Sequence, residues 1–200
     1  MIKIRPVTLA GKVVRLEMLS ARHVSDLTEA GQDANIWKYM VYGTIQNLSQ
    51  MAELVEELLR RQEKGTDLPF AVIHLTTNRA IGMTRFMDIR PQDHALEIGV
   101  TWYAPSYQHT AVNTESKLLL LAHAFEVLGC IRVQFKTDSR NIRSQEALER
   151  IGAVREGVLR NHMILPDGYI RDSVYYSIIA SEWPGVKEHL VRKLQRSTKD

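Results

Sequence analysis

The stretch from Tyr107 to Phe125, YQHTAVNTESKLLLLAHAF, runs a short polar loop straight into a strongly apolar helix. It stands between two strand-like runs, HALEIGVTWYA before it and IRVQFKT after it. A helix lodged between strands calls for a sheet with helices packed on it, which narrows the chain to a mixed α/β architecture. Helix N-termini entered from such loops often cradle phosphates, because the first turn presents unpaired N–H groups and a partial positive charge. Phosphate loops usually carry glycine, and this one has none. In the preceding strand Leu96, Ile98, Val100 and Trp102 alternate with Glu97, Gly99, Thr101 and Tyr103, so the two sets are expected on opposite faces.

The rest of the chain builds outward from that unit. Val13 to Glu17 reads as a strand, and SARHVSDLTEAG as a short helix with Ser20 as N-cap and Gly31 as its stop. In NLSQMAELVEELLRRQEKG the apolar residues Met51, Leu54, Val55, Leu58 and Leu59 fall at helical spacing, and Gly65 ends the helix. LPFAVIHLT and AIGMTRFMDI form a hairpin-like pair. After IRVQFKT, the segment NIRSQEALERIG is a helix with Asn141 near its start and Gly152 just past its end; two strands follow around PDG. Pro184 restarts the chain as a final helix. No repeat, linker or low-complexity segment interrupts this order, so one domain with a mixed α/β sheet is expected.

Charge and cysteine usage exclude several classes of function. Against 26 Lys and Arg stand 23 Asp and Glu, too dispersed for a surface that tracks nucleic-acid phosphates; the one basic excess is the tail VKEHLVRKLQRSTKD. The single Cys130 forbids an intrachain disulfide and reads as a small buried residue. No apolar run approaches the roughly 20 residues that span a bilayer, and no signal peptide opens the chain, so a soluble cytoplasmic protein without membrane partners is expected. The seven histidines are scattered, with no HExxH or CxxC, and no metal is expected. A GxSxG elbow, a Walker loop and a Rossmann fingerprint are also absent.

The Glu-Ile-Gly strand, the Gln108-x-x-Ala111-x-Asn113 loop, the apolar helix and the run NxRSxxALxRIGA occur in an order and spacing that resembles the GNAT acetyltransferase superfamily, in its RimJ/RimL-like branch of ribosomal-protein-alanine N-acetyltransferase relatives. The resemblance covers residues 8–183, leaving 184–200 as a C-terminal helix and tail, and is strongest from Glu97 to Arg160. It implies a mostly antiparallel sheet in which one parallel strand pair splays apart, flanked by helices. It further implies acetyl-CoA as cosubstrate, its pantetheine arm in the wedge against the strand at Val100 and Trp102. The pyrophosphate would lie on the loop and helix start formed by Gln108, His109, Thr110, Ala111, Val112 and Asn113, with Asn141 and Ser144 facing the other side of the arm. The family's two small glycine-type positions are Ala111 and Asn113 here. Because backbone N–H groups make the contact, a methyl at Ala111 removes no donor, and Asn113 is suited to open the helix.

Acetyl transfer to an amine needs a neutral amine, a held thioester, a donor for the developing oxyanion and a proton for the departing thiolate. The donor is a backbone N–H near Val100 if a bulge breaks the ladder there. Many relatives protonate the thiolate with a tyrosine, at a position that is Leu148 in this chain; the resemblance then puts the role on Ser144, whose competing role is a bond to the helix backbone. Glu97 is the candidate base, against a structural, salt-bridged carboxylate; His162 is the second candidate, while a neighbouring carboxylate found in some relatives is Met163 here. The acceptor is expected to be a protein N-terminus or a small-molecule amine, held by residues 32–68 and the last strands. The resemblance also allows a homodimer. Succinyl-CoA as donor, or a non-catalytic CoA- or partner-binding module, are the competing readings.

Overall fold

The computed structural model describes residues 2–197, so the last three residues of the basic tail lie outside it. Eight strands form one open sheet: β1 (Leu9–Ala10), β2 (Val14–Met18), β3 (Leu68–His74), β4 (Arg79–Arg90), β5 (Ala95–Tyr103), β6 (Arg132–Asp138), β7 (Val154–Ile164) and β8 (Ile170–Ile179). They lie in the order β1-β2-β3-β4-β5-β6-β8-β7. Every neighbouring pair is antiparallel except β5 and β6, which the helix α3 (Ala111–Ala122) connects as a crossover. The other helices are α1 (Val24–Ala30), α2 (Leu48–Glu63), α4 (Ile142–Arg150) and α5 (Trp183–Ser197). The α/β architecture read from the sequence, with its single parallel pair, is the one observed.

Strand alternation divides the interior into two cores. On one face Phe70, Phe86, Leu96, Ile98 and Phe135 meet Leu120 and Leu121 of α3 and Leu190 of α5. On the other, Ala71, Ile73 and Met83 meet Leu27 of α1 and Met51, Leu54 and Leu58 of α2. Of the periodic apolar set of α2, Met51, Leu54, Val55 and Leu58 are buried and Leu59 is half-buried against them; Asn47 caps its first turn, accepting from the Gln50 N–H at 3.0 Å, and Gly65 follows its end at φ 72°. Cys130 is buried in the first core. The final helix sinks Trp183, Val186 and Leu190 into that same core.

One buried carboxylate ties α3 to the start of the sheet. Glu115 accepts from the backbone N–H groups of Lys12, Val13 and Val14 at 2.8, 2.7 and 2.7 Å. The close approach is open only because Gly11 has no Cβ, whose place the Glu115 carboxylate itself occupies. Three charge-assisted bonds to one buried group make it irreplaceable by an apolar side chain. Glu115→Ala is expected to destabilise the fold by about 2–4 kcal/mol, since buried donors are left unmatched; urea denaturation of the purified variant measures it.

Candidate active site

Strands β5 and β6 pair only at Ala95–Arg132, Leu96–Val133 and Glu97–Gln134. Beyond Glu97 they part, while β5 stays on β4 and β6 stays on β8 to its end. The result is a wedge-shaped gap whose two walls are strand edges with backbone groups facing inward.

The wall on the β5 side is broken by a bulge. Arg85 of β4 opposes Gly99, but Met83 opposes Trp102, so Val100 and Thr101 have no register partner on β4. Val100 takes φ 50°, a conformation that a β-branched residue adopts only under constraint. The bulge anticipated near Val100 is therefore present, but it overturns the simple alternation. Leu96 and Ile98 lie in the first core, whereas Trp102 crosses to the second, 5.1 Å from the Trp37 ring, and Tyr103 takes the first-core side instead. The extra residue shifts the strand's phase by one.

The loop after β5 enters α3 without a glycine by placing its left-handed residue at His109, φ 60°, and its cap at Thr110. The Thr110 hydroxyl accepts from the Val112 N–H at 3.3 Å and donates to the Tyr107 carbonyl at 2.7 Å. Asn113, expected to open the helix, instead sits inside the first turn, where Oδ1 accepts from the Tyr103 hydroxyl at 3.3 Å. Capping falls to Thr110 because its hydroxyl reaches the first free N–H groups from outside the helix. Ala111 and Val112 begin the helix proper. Gln108 donates to the Tyr103 carbonyl at 2.9 Å and accepts from Arg143 of α4 at 2.8 Å, a strut across the mouth of the gap. At the start of α4, Asn141 caps the helix by accepting from the Ser144 N–H at 3.1 Å. The Ser144 hydroxyl is half-buried and makes no side-chain hydrogen bond among the described residues. Leu148, one turn on, is buried in the first core.

A polar network lies where the β5–β6 pairing ends. Glu97, 3% exposed, accepts at Oε2 from Gln134 at 3.0 Å and lies 3.6 Å from the Lys136 ammonium. Lys136 sits 5.8 Å from the centre of the Tyr175 ring, whose hydroxyl is 3.4 Å from Nε2 of His162. Nδ1 of His162 is 3.0 Å from the Ser173 hydroxyl. Burial, then the charges of Lys136 and Arg171, lower the His162 pKa. The two base candidates thus belong to one connected system. Beside Glu97, Gly99 leaves a cradle: a Cβ there would lie 3.1 Å from Oε1 of Glu97 and closer still to Met87. Met163 is half-buried on β7, and among the described residues no cluster of three metal-ligating groups occurs.

Lys117 is the residue that sequence reasoning passed over. It points from α3 towards the gap, 5% exposed, donating to the Thr101 hydroxyl at 2.8 Å, with the Phe135 ring of β6 5.8 Å away. Thr101 is in turn 2.8 Å from the hydroxyl of Thr84. Burial pushes the Lys117 pKa down to about 7. The signal in the sequence was its helical spacing, three and four residues before the fully buried Leu120 and Leu121.

A sheet opened at its one parallel pair, with a bulged strand and a capped helix N-terminus at the opening, is the architecture of an acyl-CoA N-acyltransferase fold. The family model described as an acetyltransferase (GNAT) domain matches residues 14–154, and the chain belongs to that family. It is similar to the Bacillus subtilis (strain 168) protein named "Putative ribosomal N-acetyltransferase YdaF", with 32% identity over 106 residues, which cover 53% of this chain and 57% of that relative. A crystal structure of a GCN5-related N-acetyltransferase from Brucella melitensis superposes with a TM-score of 0.90 at 27% identity, covering 96% of this chain and 87% of that one. Mycobacterium smegmatis RimJ in complex with CoA-disulfide shares the fold, with a TM-score of 0.81 at 19% identity over 94% of this chain and 95% of that one.

The lowered pKa of Lys117 has a consequence for stability. Between about 7 and the ordinary 10.5 the unfolded chain holds this proton and the folded protein does not, so stability rises with pH across that window. Below it both states are protonated and the burial penalty stands in full. Relative to Lys117→Met, the wild type is expected to gain up to about 1.4 kcal/mol per pH unit from pH 7 to 10. Chemical denaturation of both proteins at matched pH values checks the slope.

Proposed function

We propose that the protein is an N-acetyltransferase that moves an acetyl group from acetyl-CoA directly to a primary amine, either a protein N-terminus or a small-molecule amine. The observation that carries this reading is the separation of β5 from β6 immediately after Glu97, with the Val100 bulge inside the gap. Acetyl-CoA supplies an activated thioester; the chain's task is to hold it, neutralise the amine and manage two protons. The free backbone edge of β5 from Val100 to Trp102 suits an extended pantetheine arm, which can hydrogen-bond to it as an added strand does. Gln108, His109, Thr110, Ala111, Val112 and Asn113 form the loop and first turn suited to the pyrophosphate, where helix N–H groups and dipole favour anions. Asn141 fixes the start of α4 and leaves the Ser144 hydroxyl free for the cofactor side.

The backbone at Val100, released from the β4 ladder, suits a donor to negative charge developing on the acyl oxygen. Glu97 accepts a proton from the amine directly or through water, with Gln134 and Lys136 holding its carboxylate in place. Ser144 returns a proton to the thiolate, since Leu148 has none to give. No covalent enzyme intermediate is required.

Release of CoA thiol from acetyl-CoA, followed across peptide and small-amine acceptors in the presence of chelator, tests the reading; CoA binding with no thiol release from any acceptor overturns it. Glu97→Gln is expected to lower kcat/KM by about 10²–10⁴-fold, most severely at low pH where the amine is protonated, with acetyl-CoA affinity unchanged. For Ser144→Ala the expected loss in kcat is about tenfold to a hundredfold, because a thiol is already an acidic leaving group. Calorimetric titration with CoA separates that loss from weakened binding.

A further inference from the structure

Buried lysines are rare in folded proteins unless a carboxylate pairs with them. Lys117, 5% exposed, has no carboxylate partner among the described residues. An ammonium has three N–H bonds, and the Thr101 hydroxyl accepts one of them at 2.8 Å. The charges nearby are spent or turned away. Glu115, two residues earlier on α3, accepts from the backbone N–H groups of Lys12, Val13 and Val14. Arg15 and Glu17 of β2, Arg85 of β4, Glu97 of β5 and Lys136 of β6 alternate with residues of the first core, which puts them on the other face of the sheet. Lys187 of α5 pairs with Glu126 beyond the end of α3, and Tyr103 of β5 is a buried phenol whose pKa burial raises. An ammonium placed here loses its hydration and gains no counter-charge from the chain around it.

The position of Lys117 says which negative charge suits it. Thr101, its anchor, follows Val100 and is the second residue that the bulge leaves without a register partner on β4. Thr101 is fixed in turn from the β4 side, 2.8 Å from the Thr84 hydroxyl. Phe135, whose ring centre is 5.8 Å from Nζ, is the first β6 residue past the last β5–β6 pair, Glu97–Gln134. The Lys117 nitrogen thus stands between a residue of one wall of the gap and a residue of the other, beside the bulge. We infer that Lys117 is a further catalytic residue, a cationic donor to the acyl oxygen of acetyl-CoA that works beside the backbone N–H at Val100. The inference rests on the acetyltransferase reading and adds to it a group with no other role there. A charged donor gains most from an oxygen that turns negative during the reaction, and little from a pantetheine amide carbonyl that stays neutral. Lys117 keeps its proton throughout. As the amine nitrogen bonds to the acyl carbon and the C–S bond breaks, the amine proton passes to Glu97 and Ser144 protonates the thiolate. Burial lowers the Lys117 pKa to about 7, and a negative oxygen beside it restores the ammonium form.

The test sets acetyl-CoA against the S-ethyl thioether of CoA, a ligand of the same length with no acyl oxygen, on the wild type and Lys117→Met. The variant is expected to fold, because it removes a buried ionisable group and keeps an apolar stem of similar length. In calorimetric titrations at pH 7 the wild type should prefer acetyl-CoA, and Lys117→Met should lose about threefold to tenfold of that preference with its affinity for the thioether unchanged. With a saturating amine acceptor, kcat for thiol release should fall by about 10²–10³-fold in Lys117→Met, the usual loss for an oxyanion donor. Wild-type kcat should also decline on the alkaline side as Lys117 gives up its proton, and the variant should show no such decline. Thr101→Val, which frees Lys117 from its anchor, should lower kcat less, by about tenfold. An unchanged kcat in Lys117→Met, an alkaline decline that persists there, or an equal loss of affinity for both ligands overturns the inference. If the wild type releases no thiol with any acceptor, the acetyltransferase reading itself fails. The preference for acetyl-CoA over the thioether, and its loss in Lys117→Met, still decide separately whether Lys117 meets the acyl oxygen.

Discussion

Strands β5 and β6 share only three register pairs, and the rest of the molecule is arranged around the backbone groups that this short pairing leaves unmatched. A parallel pair in mid-sheet normally continues, because each exposed N–H or C=O inside a protein costs free energy comparable to a lost hydrogen bond. Here the strands are pulled apart by their other neighbours. β8 follows β6 residue by residue from Arg132 to Asp138, while β4 holds β5 through the bulge to Tyr103. Each strand is satisfied on one side, so the gap can stay open without unravelling the sheet.

Keeping it open requires rigid supports on both faces. Glu115 fastens α3 to the β1–β2 turn, and the Arg143–Gln108 bond braces the α3 entry against α4. Val100 itself is strained: a non-glycine residue at positive φ costs of order 1–3 kcal/mol. Such strain persists where packing over-determines it, and Trp102 anchored against Trp37 on one side of the sheet and Tyr103 in the core on the other supply that packing. The bulge is thus held by the residues that follow it, not by its own preference.

The order of elements was legible in the sequence because it rests on periodicity and punctuation. The helical spacing of Met51, Leu54, Val55 and Leu58, the stop at Gly65 and the placing of Asn141 at the start of α4 are local signals, and each is used as read; Ser20 instead precedes a short 3-10 turn, Ala21–His23, that leads into α1. The phase change in β5 was not legible. Valine favours extended backbone, so nothing at Val100 announces a left-handed turn, and Trp102 was assigned to the wrong face as a result. Asn113 was credited with the helix start because asparagine caps well, but Thr110 lay nearer the turn. Lys117 was missed for a different reason. Its significance lies in what surrounds it in three dimensions, and a lysine in a sequence reads as a solvated charge unless its burial is known.

The glycine-free loop shows how the geometry of a phosphate loop, the role proposed for it, can be distributed over other residues. A phosphate loop needs a sharp reversal, a helix start with free N–H groups, and no side chain in the way. Glycine can meet the first and last needs together. Here the reversal is assigned to His109, a residue type enriched among non-glycine residues at positive φ, and its exposed side chain is directed away from the interior. The helix start belongs to Thr110, whose hydroxyl is occupied by both Tyr107 and Val112. The small residue is Ala111, at the first helical position. Splitting the task in this way makes the loop stiffer than a glycine loop, since each residue has fewer conformations to lose on folding. The loop is already tied at Gln108 to both β5 and α4, and if it holds the pyrophosphate as proposed, such a preorganised site sacrifices less chain entropy when its ligand arrives.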